Sequence, residues 1–267
     1  MVSHETLHYR NKSVFNAIAF LVMIAVNALA ILLPINGRTT GEIAGKYPNL
    51  FAPAAITFSI WSLIYLSLLG YIIYQLWLAF SNRHPVVLAR LMDQMKEWFL
   101  ITAVANSLWL FAWHYELIPV TVGIMLILLA SLWMIHLNFG IAQPGATRDE
   151  KLFIYLPFSL YLGWISIAAI ANIAVLIVYA GIGGNTQTQV WWTILLIAAG
   201  TFISIMMVWF RNNIVHALVA VWAFYGILIR QRETGILAHQ PVIHACVIAI
   251  GIIAVAISWH LYRKPRS

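Results

Sequence analysis

Charge is what this sequence has least of. Asp, Glu, Lys and Arg make up 9% of its 267 residues, against about a quarter in a soluble domain. Hydrophobic residues make up 63%, and a water-soluble fold has no interior large enough to hide them. Disorder is excluded too, because disordered chains are rich in charge and poor in aromatics, whereas this one has 12 Trp, 11 Tyr and 13 Phe. Its single cysteine, Cys246, rules out an internal disulfide framework and a cysteine-based metal site. No phosphate-cradling loop, HExxH or GxSxG motif is present, and no constellation suggests a metal site or a catalytic residue.

The scarce charges are also placed with care. Glu5, Glu42, Asp93, Glu97, Glu116, Asp149, Glu150 and Glu233 all lie in loops, tails or at the ends of apolar stretches, and so does every lysine. Ion-coupled carriers and voltage sensors bury ionisable groups as relays or gating charges. Their absence argues against that class, and the lack of a mid-membrane lysine excludes a Schiff-base pigment.

What remains is a polytopic, all-α membrane bundle. A span takes about 20 apolar residues, and eight stretches qualify: Val14–Leu33, Pro53–Phe80, Glu97–His114, Leu117–Ala142, Leu152–Gly181, Val190–Phe210, Asn212–Ile229 and Pro241–Tyr262. The first is longer than a signal-peptide core and is read as a retained helix. With eight crossings, Arg10, Lys12, Arg83, Arg90, Lys96, Arg148, Lys151, Arg211, Arg263, Lys264 and Arg266 share one side, and Arg38, Lys46, Arg230 and Arg232 the other. Positive residues stay inside, so both termini are expected in the cytoplasm, with residues 1–13 and 263–267 as tails. The net charge of +7 is thereby read as topology and anionic-lipid contact, not as a nucleic-acid partner. Histidines at span edges are read as headgroup-level hydrogen bonders rather than haem ligands.

Within the spans the polar groups are amides and indoles. Asn16 and Asn27 share one face of span one, and Asn106, Asn138 and Asn172 lie in spans three, four and five. Such amides either glue helices together or orient a ligand. Trp77, Trp98, Trp113, Trp191, Trp192, Trp209 and Trp259 fall near span ends, where an interfacial belt belongs. Trp61, Trp109, Trp133, Trp164 and Trp222 are too deep for a belt, and their N–H groups need partners, which the amides could supply.

Span two reads Phe58-Ser59-Ile60-Trp61-Ser62-Leu63-Ile64-Tyr65, span three Asn106-Ser107-Leu108-Trp109, and span five Trp164 followed by Ala168 and Asn172. Three short motifs, in order and each on its own helix, resemble the TspO/MBR family, the tryptophan-rich sensory proteins related to mitochondrial translocator protein. The resemblance covers residues 14–181, the family's five-helix unit, and leaves 182–262 as three additional helices. Ile56 stands where the family usually has Trp, Phe58 precedes Trp61 by three residues rather than four, and Ile167 replaces the usual Phe. The chain therefore looks like a longer, divergent member.

The resemblance implies an apolar pocket between helices one, two, three and five that binds tetrapyrroles, sterols or other lipophilic molecules. Carried over, its lining is Trp61, Tyr65, Asn106, Trp109, Trp164 and Ala168, with the deep amides Asn27 and Asn172 beside them. A porphyrin or haem would then be a ligand rather than a certain cofactor. The loop Ile35–Ala52, long enough for a lid, would close the site, and Arg38 or Lys46 would meet an acidic ligand. The function expected is a membrane receptor or sensor. A lipid or metabolite transporter, and a light-dependent porphyrin-degrading enzyme, are the alternatives. Small residues at Ala198, Ala199, Gly200, Ala245 and Ala249 permit close helix packing, including that of a homodimer. The expected location is the bilayer of a bacterial cell membrane.

Overall fold

The computed structural model describes residues 4–33, 35–81 and 83–263; the expected tail residues 1–3 and 264–267 lie outside this range. Its helices are α1 (His4–Leu32), α2 (Thr40–Lys46), α3 (Ile60–Ser81), α4 (Pro85–Met95), α5 (Trp98–His114), α6 (Ile118–Asn138), α7 (Arg148–Glu150), α8 (Leu156–Tyr179), α9 (Thr186–Arg211), α10 (Ile214–Glu233) and α11 (Gln240–Arg263). No strand occurs among the described residues. Among the described residues, seven helices are long and apolar enough to cross a membrane. The expected third span becomes α5, with 17 residues, about 25 Å long and at the short limit for a crossing.

Two segments expected to be plain loops are partly helical. Residues 35–52 contain α2, and residues 81–97 contain α4, an amphipathic helix that turns Leu88, Leu91, Met92 and Met95 inward. Their polar composition hid them from a reading based on long apolar runs. Span five likewise starts earlier than Leu152. Thr147 and Glu150 form a reciprocal capping box, and a π-helical segment, Lys151–Tyr155, leads into α8.

The chain divides into two compact units. Unit one comprises Met1–Ile43, Ser62–Ile141 and Gly145–Phe158; unit two comprises Ala44–Trp61, Ala142–Pro144 and Ser159–Ser267.

In unit one, α5 packs on both α1 and α6. Its core is aromatic: Tyr71 lies 5.3 Å from Phe99 and 5.1 Å from Phe158 between ring centroids, and Tyr74 stacks on Phe153 at 4.9 Å. Two buried amides of this unit are neutral and pair across helices, as a low dielectric favours. Asn16 Nδ2 donates to Gln75 Oε1 (3.2 Å), and Gln75 Nε2 donates to the Ser13 carbonyl (3.4 Å). Trp133, expected to be buried by its depth, is instead 38% exposed and stacks on His136.

In unit two, α9, α10 and α11 pack against one another, and glycines set the closest approaches. A Cβ on Gly163 of α8 would meet the His216 backbone at 3.1 Å, and one on Gly200 of α9 would meet Phe224 at 3.0 Å. Asn212, in the left-handed region at φ 57°, ends α9, and the Asn213 side chain caps α10 by accepting from the His216 N–H. Residues 44–59 lie along α10. The Ala54 N–H donates to the Gly226 carbonyl (3.0 Å), Trp222 Nε1 to the Thr57 carbonyl (2.9 Å) and Gln231 Nε2 to the Leu50 carbonyl (2.8 Å).

Gly226 is where this seam is tightest, since an added Cβ would collide with Thr57 Oγ1 and fall 2.9 Å from Thr57 Cβ. Gly226→Ala is expected to destabilise unit two by about 1–3 kcal/mol, the usual range for overpacking. Gly123→Ala, on α6 with open space around it, should leave stability unchanged or raise it. Thermal unfolding midpoints in detergent would check both.

Candidate functional site

The sequence-predicted residues fall into one group in each unit. In unit one, the helix one and helix three amides meet: Asn27 Nδ2 donates to Asn106 Oδ1 at 2.7 Å and also to the Met23 carbonyl at 2.9 Å. Asn106 is buried and Asn27 half-buried. The pair ties α1 to α5. Trp109, one turn beyond Asn106, stacks on Trp113 with 5.4 Å between centroids and 19° between planes. Tyr65 of α3 is half-buried.

The C-terminal end of α5 also holds the first part of the loop expected to be a lid. Trp113, read as an interfacial residue, is buried and donates its Nε1 proton to the Thr40 carbonyl at 3.2 Å. His114 is buried beside it. Its Nδ1 lies 2.8 Å from the Leu110 carbonyl, which can only accept, so Nδ1 carries the proton. Its Nε2 is 3.3 Å from Thr40 Oγ1, and Asn36 Nδ2 donates to the His114 carbonyl at 3.1 Å. Arg38 pairs with Glu116 at 2.6 Å; as an anchor for an acidic ligand it would have to exchange that partner.

α2 is closed by a capping box. The Thr39 N–H and Oγ1 both donate to Glu42 Oε2, at 2.6 and 2.9 Å, and the Glu42 N–H reaches Thr39 Oγ1 at 3.3 Å. Hydrogen bonds from the Thr39 backbone and then its hydroxyl, with Arg38 adding a smaller coulombic contribution, hold the Glu42 carboxyl below its ordinary range.

In unit two, the helix two and helix five aromatics meet. Trp61 contacts Trp164 edge to face at 6.2 Å and 79°, and contacts Tyr161 at 6.0 Å and 67°. Phe58 also meets Trp164, at 5.8 Å and 82°. Trp164 is buried and Trp61 half-buried. Ala168 and Asn172 follow Trp164 at intervals of four, on one face of α8. Asn172 Nδ2 bonds back to the Ala168 carbonyl at 3.1 Å, within its own helix. Tyr161 was missed by the motif comparison, although its spacing of three from Trp164 placed it on the same face.

The indole partners also differ from expectation. Trp222, one of the deep tryptophans, gives its N–H proton to the Thr57 carbonyl and not to a buried amide, and Trp113 gives its own to the Thr40 carbonyl. A depth argument along separate helices had no way to see a loop folding back onto them.

This fold, with aromatic and amide motifs on membrane-length helices, defines a polytopic helical integral membrane protein. A family model described as "TSPO-like protein" matches residues 13–259, and the chain belongs to that family. The match continues past residue 181 through α9 and α10 and into α11, so the family model takes in the last three helices as well. No curated protein and no solved structure matches the chain.

Two measurements test these local arrangements. A double-mutant cycle on Asn27→Ala and Asn106→Ala, read by unfolding in mixed detergent, is expected to give a coupling of about 0.6–1.7 kcal/mol, the range for amide bonds within bilayers. For Glu42, the folded carboxyl lies below its unfolded value, so its contribution is full above the unfolded value and is lost as pH falls through the folded one. A spin label on Gly45→Cys should therefore gain mobility as pH falls below the ordinary glutamate range, and Glu42→Gln, which still caps but does not titrate, should abolish that change.

Proposed function

We propose that this TSPO-like protein is a membrane receptor or sensor for a small, flat, lipophilic ligand of tetrapyrrole type. The observation that carries the reading is the aromatic cluster of unit two. Phe58, Trp61, Tyr161 and Trp164 come from the helix two and helix five motif segments and meet edge to face. An indole is a surface on which a planar macrocycle can stack, and Trp61 is the half-buried member of the cluster. Ala168, one turn below Trp164, keeps the α8 surface low beside it, and Asn172 follows on the same face. In unit one, Asn27, Tyr65, Asn106 and Trp109 are a second set of candidate contacts, and the clasp around Thr40 supports a lid role for the loop.

Residues 14–181 carry the ligand-binding motifs in this reading, and 182–262 supply supporting helices. Counting the short α5 as a crossing gives eight spans, which puts both termini on the side richer in Lys and Arg, the cytoplasm.

The test is titration of the full chain with protoporphyrin, following quenching of tryptophan fluorescence. Trp61→Ala and Trp164→Ala are expected to weaken binding about two- to ten-fold, as loss of one aromatic contact does. Asn106→Ala reports separately on unit one. Unchanged binding in both Trp164→Ala and Asn106→Ala, with unfolding midpoints preserved, would place the ligand elsewhere and overturn the assignment.

A further inference from the structure

Unit two also carries a groove along α11 that the reading above does not use. Where α11 begins, a cavity of about 340 Å³ is lined by Arg232, Gln240, Ile243, His244, Val247 and Ile248. Further along the helix a second cavity, of about 570 Å³, is lined among others by Ile248, Gly251, Ile252 and Val255, with Trp209 and Trp259 at its far end. Ile248 borders both, which sets the two end to end along α11. The chemistry changes along this length, from side chains that donate hydrogen bonds to side chains that are only aliphatic.

The polar end is built for an anion. Arginine, glutamine and histidine all offer N–H donors, and no carboxylate lines the cavity among the described residues. Glu233 follows Arg232 directly but is turned about 100° around α10 and is not part of the lining. Arg232 makes no ion pair among the described residues. The positive end of the α11 peptide dipole adds to the same bias.

The stretch that would hold a chain is close to the depth of one leaflet. From Gln240 to Gly251 the helix rises about 17 Å, against about 15 Å for half the hydrocarbon core. Gly251 has nothing within 4 Å of where a Cβ would sit, which leaves the floor of the groove open to a chain. We propose that this groove binds one anionic phospholipid, its phosphate held by Arg232, Gln240 and His244 and an acyl chain laid along Val247 and Ile248 towards Gly251.

A second copy of the chain fits this surface less well. Two-fold related subunits in a bilayer meet at equal depth, so a symmetric contact here would set Arg232 and His244 against their own copies. A neutral lipid or sterol would fill the aliphatic part and leave the donors without a charged acceptor.

The test is native mass spectrometry of the full chain in detergent with phosphatidylglycerol and phosphatidylcholine present together. Wild type should retain one phosphatidylglycerol in preference to phosphatidylcholine. Arg232→Gln should weaken its retention about five-fold, in line with one cation at a lipid surface. Arg232→Lys should keep it, Arg232→Gln with His244→Gln should abolish the preference, and Ile248→Trp should displace the lipid while porphyrin binding persists. All three positions are exposed, so the fold tolerates these changes. Equal retention of both lipids by wild type, an undiminished preference in the double variant, or an Ile248→Trp effect on dimer content instead of lipid would each overturn the proposal.

Discussion

The structure depends on the obligation to satisfy every polar group without the help of water or charge. In a bilayer an unpaired N–H or C=O costs several kcal/mol, and this chain keeps acidic residues and lysines away from its apolar stretches. The burden therefore falls on neutral donors. Gln75 bridges to α1, Asn27 to α5, and Asn213 spans from the start of α10 to Ser159 Oγ at 2.9 Å. The same rule explains how residues 35–59 can lie against apolar helices. Their carbonyls are taken by Trp113 in unit one and by Trp222 and Gln231 in unit two. Without those donors this stretch would have to remain in the aqueous layer.

That rule also sets what was legible in the sequence. Helix class and the long spans followed from runs of apolar residues, because a spanning helix is specified by composition over about 20 positions. Short helices with mixed faces were not legible. α2 is marked only by Thr39 and Glu42, and α4 by a periodicity confined to 11 residues. Motif residues were found where both partners sit on long helices, as with Trp61 and Trp164. Contacts made by the loop were invisible, because nothing along the chain tells a tryptophan which carbonyl it will meet. Trp113 looked interfacial for that reason, and Trp133 looked buried because depth in a span says nothing about which way a side chain faces.

The boundary at residue 181 is instructive in the same way. It marks the end of three recognisable motifs, yet motif-bearing α8 belongs to the same compact unit as α9, α10 and α11. Gly163 brings α8 against the backbone of His216, and Ser166 Oγ lies 3.1 Å from His216 Nε2. Helices that looked like an appendage instead bury the helix that carries Trp164.

This packing gives a physical account of one departure from the family pattern. Ile167 occupies a position usually held by phenylalanine, and it is buried at 5% exposure. Its Cδ1 lies 3.2 Å from where a Cβ on Gly200 would be, and Phe224 Cζ occupies the adjacent space at 3.0 Å. A phenylalanine at 167 would have to fit its ring where α9 already approaches within the radius of a glycine. The smaller branched residue lets α8, α9 and α10 close together. The substitution thus falls on the face of α8 turned to the C-terminal helices, while Trp164, Ala168 and Asn172 repeat at helical spacing along the same helix. A residue that looks like divergence in the ligand motif is accounted for by the helices that follow it.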